Sequence, residues 1–168
     1  DLMAWNADAT RMPYRMQSEY LRQLFLDNDL FEGRYRVDGR PLALGDIRVP
    51  SFVVATETDH VAPWRSVYKL SLAVDADMTF LLTSGGHNAG ICSEPGHAGR
   101  YFRVSLLPQS DNYIDPDRWL HSTAPQPGSW WPTWADWLEQ GQTQVAAVAV
   151  PCDDPELPAA PGEYVLLP

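Results

Sequence analysis

Basic residues are scarce in this chain: 12 lysines and arginines stand against 22 aspartates and glutamates over 168 residues, a formal net charge of −10. Nucleic-acid phosphates are bound through clustered positive charge, so this balance argues against nucleic acid as a partner. Cysteine is scarcer still. Among two cysteines and four histidines there is neither a Cys-x-x-Cys nor a His-x-x-x-His pair, the spacings by which one element offers two ligands to zinc, and no metal is expected. Cys92 and Cys152 allow one disulfide at most, and without a signal-peptide pattern they read as free thiols of a cytosolic protein. No apolar run approaches the roughly 18 residues of a membrane span. A glycine-rich phosphate cradle with its Walker-type lysine is also missing, and no cofactor is expected. There are no internal repeats or low-complexity tracts.

One further absence becomes informative beside what is present. The block Thr56-Glu57-Thr58-Asp59-His60-Val61-Ala62-Pro63-Trp64 follows the apolar run Ser51 to Ala55, and Ser84-Gly85-Gly86-His87-Asn88-Ala89-Gly90 follows Met78 to Leu82. Each sets ionisable residues at the exit of a strand-like run, where open α/β sheets place their ligands. Between them Trp64, Val67, Tyr68 and Leu72 recur at helical spacing. Asp59 and His87 are thus separated by one helix and one strand, the order in which an α/β-hydrolase presents the acid and then the histidine of its triad. The nucleophile that should precede them is missing: no Gly-x-Ser-x-Gly or Gly-x-Cys-x-Gly elbow occurs in the 168 residues. Gly90-Ile91-Cys92-Ser93-Glu94 is the nearest imitation, but it lacks the second glycine and comes after the histidine, so Cys92 is a poor candidate. With its first residue Asp1, the chain reads as a piece of a longer protein.

Each residue also has a plainer reading. Asp59 has the chemistry of a helix N-cap ahead of Pro63 and Trp64. His87 among glycines fits a surface loop, although glycines also let a backbone aim a side chain into a cleft. His60 is open between a structural hydrogen-bond partner and a supporting role beside Trp64. His97 and His121 fall in polar, turn-like segments and read as surface residues.

Along the chain, Met16, Tyr20, Leu21, Leu24 and Phe25 predict one face of a helix between Pro13 and Leu30, ended by Asn28, Asp29 and Gly33. Asp38-Gly39 predicts a hairpin between Arg34 to Val37 and Pro41 to Leu44, with Pro41 confining the second arm to an edge. A short strand is expected over Arg100 to Leu107, and a helix over Trp130 to Leu138 with Pro132 in its first turn. Trp119, Trp130, Trp131, Trp134 and Trp137 invite a polymer-binding reading, against which residues 130, 134 and 137 share a helical face that would pack on the sheet. Beyond Pro151, proline and acidic residues leave no helical or strand period.

Four of these blocks, in order, carry a family resemblance: Trp5-Asn6-Ala7-Asp8-Ala9-Thr10 with Pro13, Asp59-His60-Val61-Ala62-Pro63-Trp64, Ser84 to Gly90, and Gly128-Ser129-Trp130-Trp131-Pro132-Thr133-Trp134. With the closing Pro161-Gly162-Glu163-Tyr164-Val165 they resemble the C-terminal part of polyhydroxyalkanoate synthases. Ile91 to Pro95 and Arg11-Met12 depart from the family pattern without touching the two triad positions. The resemblance implies an α/β fold, the C-terminal portion of an α/β-hydrolase-like domain with part of a helical cap. Residues 1–45 would be cap-like helix and hairpin, 46–140 the catalytic-domain portion, and 141–168 an extended Pro-rich tail. It implies an acyltransferase that polymerises (R)-3-hydroxyacyl-CoA into polyester and releases coenzyme A, which is substrate and product, not cofactor. A cysteine would carry the acyl group, with His87 as base and Asp59 as acid and either His or Asp open as the group that deprotonates the 3-hydroxyl, so that this stretch by itself would be inactive. A homodimer, cytoplasmic or at the surface of a polyester granule, completes the expectation. The competing readings are a non-catalytic module that dimerises or binds polymer or synthase, and a serine hydrolase or depolymerase relative.

Overall fold

The computed structural model describes Ala7 and residues 11–141. The opening block apart from Ala7, the tail beyond Gly141 and Cys152 lie outside the described residues. The apolar runs at 51–56 and 78–83 form β3 (Ser51–Thr56) and β4 (Met78–Thr83), paired in parallel with Ser51 opposite Met78 and Thr56 opposite Thr83. β5 (Tyr101–Leu107) lies antiparallel to β4, and a two-residue β6 (Gln126–Pro127) pairs with β5, giving the order β3-β4-β5-β6. A separate hairpin joins β1 (Arg36–Val37) to β2 (Arg40–Pro41). Its turn residues Asp38 and Gly39 both have positive φ, 49° and 77°, the backbone an Asp-Gly pair supplies.

β4 is apolar at four of its six positions because both of its faces are covered. Met78, Phe80 and Leu82 face one core with Ala55, Trp64, Tyr68 and Trp119. Leu81 faces the other with Phe102 and Trp130, backed by Phe52, Val54 and Val104. The first core is roofed by α2 (Trp64–Tyr68) and α3 (Pro116–Ser122), the second by α4 (Trp131–Gln140). The chain is therefore a mixed sheet between helices, of the α/β class.

Two expectations change, and one helix was not expected. After Tyr68 the backbone tightens to a 3₁₀ turn over Lys69–Leu72; three residues per turn swing Leu70 against the core and leave Leu72 exposed. The helix α1 (Tyr14–Glu19) continues as a π-helical turn over Tyr20–Leu26, shorter than Pro13 to Leu30, and none of its residues is buried. α3 had no periodicity to announce it: its start is written in Asp115, whose side chain accepts from the Arg118 N–H at 3.0 Å, and in Pro116 at the first helical position. Among the described residues no helix is long and apolar enough to cross a membrane.

Candidate active site

Parallel pairing puts the carboxyl ends of β3 and β4 side by side, and the two polar blocks leave the sheet there. Backbone bonds lace them together: the Glu57 N–H donates to the Thr83 carbonyl at 2.9 Å and the Thr58 N–H to the Gly85 carbonyl at 3.0 Å. Gly90 returns the second loop onto the first. A Cβ at Gly90 would lie 2.6 Å from Thr56 Cγ2 and 2.9 Å from Thr56 Cβ, so the loop closes over β3 only because that side chain is absent.

The outcome is a contact between Asp59 and His87. His87 Nδ1 lies 2.8 Å from Asp59 Oδ2. Asp59 is fixed from every side: Oδ1 accepts the Val61 and Ala62 N–H groups, each at 2.8 Å, and Oδ2 accepts the Thr56 hydroxyl at 3.2 Å as well as the imidazole. Burial raises the cost of charge on this carboxyl, but the bonds from Ala62, His87 and Val61 outweigh it and hold the pKa at about 2. An ionised carboxylate accepts only, so Nδ1 donates to Asp59, and in the neutral ring it is Nε2 that carries the lone pair. The Asp59 side chain is 7% exposed and that of His87 46%. Nε2 takes no hydrogen bond from a described residue, and the ring is half exposed.

Asp59 does not cap a helix. α2 begins at Trp64 after Pro63, with no side-chain cap, and the N–H groups that Asp59 binds belong to the loop before it. Trp64 is buried in the core, 6.2 Å from Trp119 centroid to centroid, with the Arg65 guanidinium 4.5 Å over its ring. His60 is exposed and makes no hydrogen bond or ion pair among the described residues. His97 is exposed, 3.1 Å from Glu94, and His121 lies exposed in the last turn of α3. Cys92 is an exposed free thiol. Among the described residues no three His, Cys, Asp or Glu side chains gather as a metal would require.

Several side chains have roles not read from sequence, although Thr56 stood in the first block and Trp130 and Trp131 in the aromatic run. Thr56 binds the acid, and Arg100 Nη2 donates to the Ala89 carbonyl at 2.7 Å. Trp130 Nε1 donates to the Gly90 carbonyl at 3.2 Å and Trp131 Nε1 to that of Ile91 at 2.9 Å. Beside the pair, the Tyr101 hydroxyl donates to Glu57, a bond that with burial raises the phenol's pKa. An indole N–H near the core needs an acceptor, the one sequence-level sign that these tryptophans had polar work.

No protein-family model matches the chain. It is similar to curated proteins: 37% identical over 167 residues to a poly(3-hydroxyalkanoate) polymerase of Methylorubrum extorquens, covering 98% of this chain and 27% of that protein. It is 35% identical over 166 residues to the poly(3-hydroxyalkanoate) polymerase subunit PhaC of Rhizobium meliloti, covering 98% and 26%. To poly(3-hydroxyalkanoate) polymerase 2 of Ectopseudomonas oleovorans it is 33% identical over 169 residues, covering 99% and 30%. The chain spans about a quarter of the length of these relatives.

Proposed function

Because the chain belongs to the poly(3-hydroxyalkanoate) polymerase family and matches a C-terminal portion of its members, we propose that it supplies the acid and base of an acyl-transfer site that extends a polyester from (R)-3-hydroxyacyl-CoA. The observation that carries the reading is the 2.8 Å bond between Asp59 and His87 at the carboxyl ends of paired parallel strands. The nucleophile is a cysteine thiol from another part of the same polypeptide, since no elbow motif lies in these 168 residues. We place α1 and the β1–β2 hairpin in a cap over an α/β-hydrolase-like site.

The proton traffic follows from the geometry. His87 Nε2 takes the thiol proton, and the thiolate attacks the thioester carbonyl. The carbon–sulfur bond to coenzyme A breaks, and the imidazolium returns its proton to the departing thiolate, leaving the acyl group on the enzyme. For chain growth a 3-hydroxyl must lose its proton as it attacks the carbonyl of that acyl-enzyme; the new ester bond forms as the carbon–sulfur bond to the enzyme breaks, and the abstracted proton passes to the departing cysteine thiolate. Asp59 is a poor base for this step: both oxygens already accept two hydrogen bonds and its pKa lies at about 2. The same Nε2 of His87 is the base for both half-reactions, and Asp59 fixes the ring and stabilises its charged form.

Release of free thiol from (R)-3-hydroxybutyryl-CoA by the full-length protein tests this. His87→Ala and Asp59→Asn should each lower turnover on the order of a thousandfold or more with the fold intact by circular dichroism. Wild-type turnover in both would sink the assignment.

A further inference from the structure

His87 touches Asp59 through one nitrogen and is otherwise half exposed, so the aim of its ring depends on the backbone of a loop that carries glycine at 85, 86 and 90. That backbone is gripped from outside. The carbonyls of Ala89, Gly90, Ile91 and Ser93 each accept a hydrogen bond from a side chain elsewhere in the fold, namely Arg100, Trp130, Trp131 and Ser129. Three of these donors are consecutive, at the entrance to α4, and that helix is anchored on the sheet by Trp137, whose ring lies 5.4 Å from that of Phe52. The Ser129 hydroxyl also accepts the Trp131 N–H at 3.1 Å, which ties the donors to one another.

Resting on the acyl-transfer reading, we propose that Trp130 and Trp131 are positioning residues for His87: their indole N–H groups hold the histidine loop so that Nε2 is aimed at the nucleophile. The segment Ser129-Trp130-Trp131 is then a clamp on the base, coupling the entrance of α4 to the histidine loop. Neither indole is asked to touch substrate. Trp130 is also a core residue, whereas Trp131 is 37% exposed, so its N–H can be removed with little effect on packing.

The test uses the full-length protein, with CoA release from (R)-3-hydroxybutyryl-CoA measured as kcat and KM. Phenylalanine keeps a ring and removes the donor in Trp130→Phe and Trp131→Phe. Trp134→Phe, whose indole makes no bond to the loop, is the control. Loosening a base by a fraction of an ångström should lower kcat in the two clamp variants on the order of tenfold with KM within about twofold, while the control stays at the wild-type value. Wild-type kcat in Trp131→Phe, or a loss seen only as a raised KM or a lowered melting midpoint, overturns the inference. If Trp130→Phe does not fold, Trp131→Phe decides alone. His87→Ala is measured alongside: wild-type turnover there overturns the acyl-transfer reading and this inference with it. An inactive His87→Ala beside an unimpaired Trp131→Phe overturns the clamp and leaves that reading standing.

Discussion

At the scale of single residues, Asp59 is the most constrained group in the site, with four donors on two oxygens. Its pKa is depressed from 3.8 to about 2, so it binds its proton more weakly folded than unfolded. The stabilisation it provides is complete above about pH 4 and is lost as pH falls towards 2. Melting midpoints of wild type and Asp59→Asn should therefore converge as pH is lowered from 5 to 2; a gap that stays constant would contradict the arrangement. Gly90 is the second decisive residue. Gly90→Ala puts a methyl group where Thr56 already sits, pushing the histidine loop off β3. Turnover should fall at least tenfold, with a smaller effect for alanine at Gly86, whose Cβ would meet nothing nearer than Thr58 Oγ1 at 3.7 Å.

At the scale of elements, period and turn chemistry decide how much can be read from sequence. β3 and β4 were legible as apolar runs because β4 is buried on both faces and β3 packs beside it into both cores, and the Asp38-Gly39 hairpin because that dipeptide takes positive φ cheaply. The meeting of Asp59 and His87 was legible because polar blocks stood at two strand exits. What joins them was not. Gly90 against Thr56, the Arg100 bond and the indole donors are contacts between segments distant in sequence, and no local pattern encodes them. α3 escaped notice because seven residues give too little period, and only Asp115-Pro116 marks its start. That cap makes a prediction: Asp115→Ala should cost about 1 kcal/mol of stability in denaturant unfolding. Trp119 sits four residues along, 2% exposed, with its indole donating to Ser105 at 2.7 Å, so α3 matters to the core well beyond its length.

At the scale of the whole molecule, the described residues leave an apolar surface with nothing upon it. Tyr14, Phe25 and Leu26 on α1 and its continuation are 85%, 70% and 77% exposed, and β3 has no partner on its outer edge among the described residues. Water contact of this extent favours association. The 168-residue chain should sediment as a dimer or larger species, and Phe25→Glu with Leu26→Glu should shift it towards monomer; a monodisperse wild-type monomer would contradict this. A site open at one side suits the proposal that the nucleophile arrives from another part of the polypeptide.

The most direct measurement of the central claim is chemical rescue of His87→Ala in the full-length protein. His87 lies at the mouth of the site with half its surface in water, so removing its ring leaves room that free imidazole can enter. CoA release from (R)-3-hydroxybutyryl-CoA should be nearly abolished in the variant and should rise with added imidazole to a plateau, because the lost group is a base. Turnover at the wild-type level without imidazole would show that His87 is not the base.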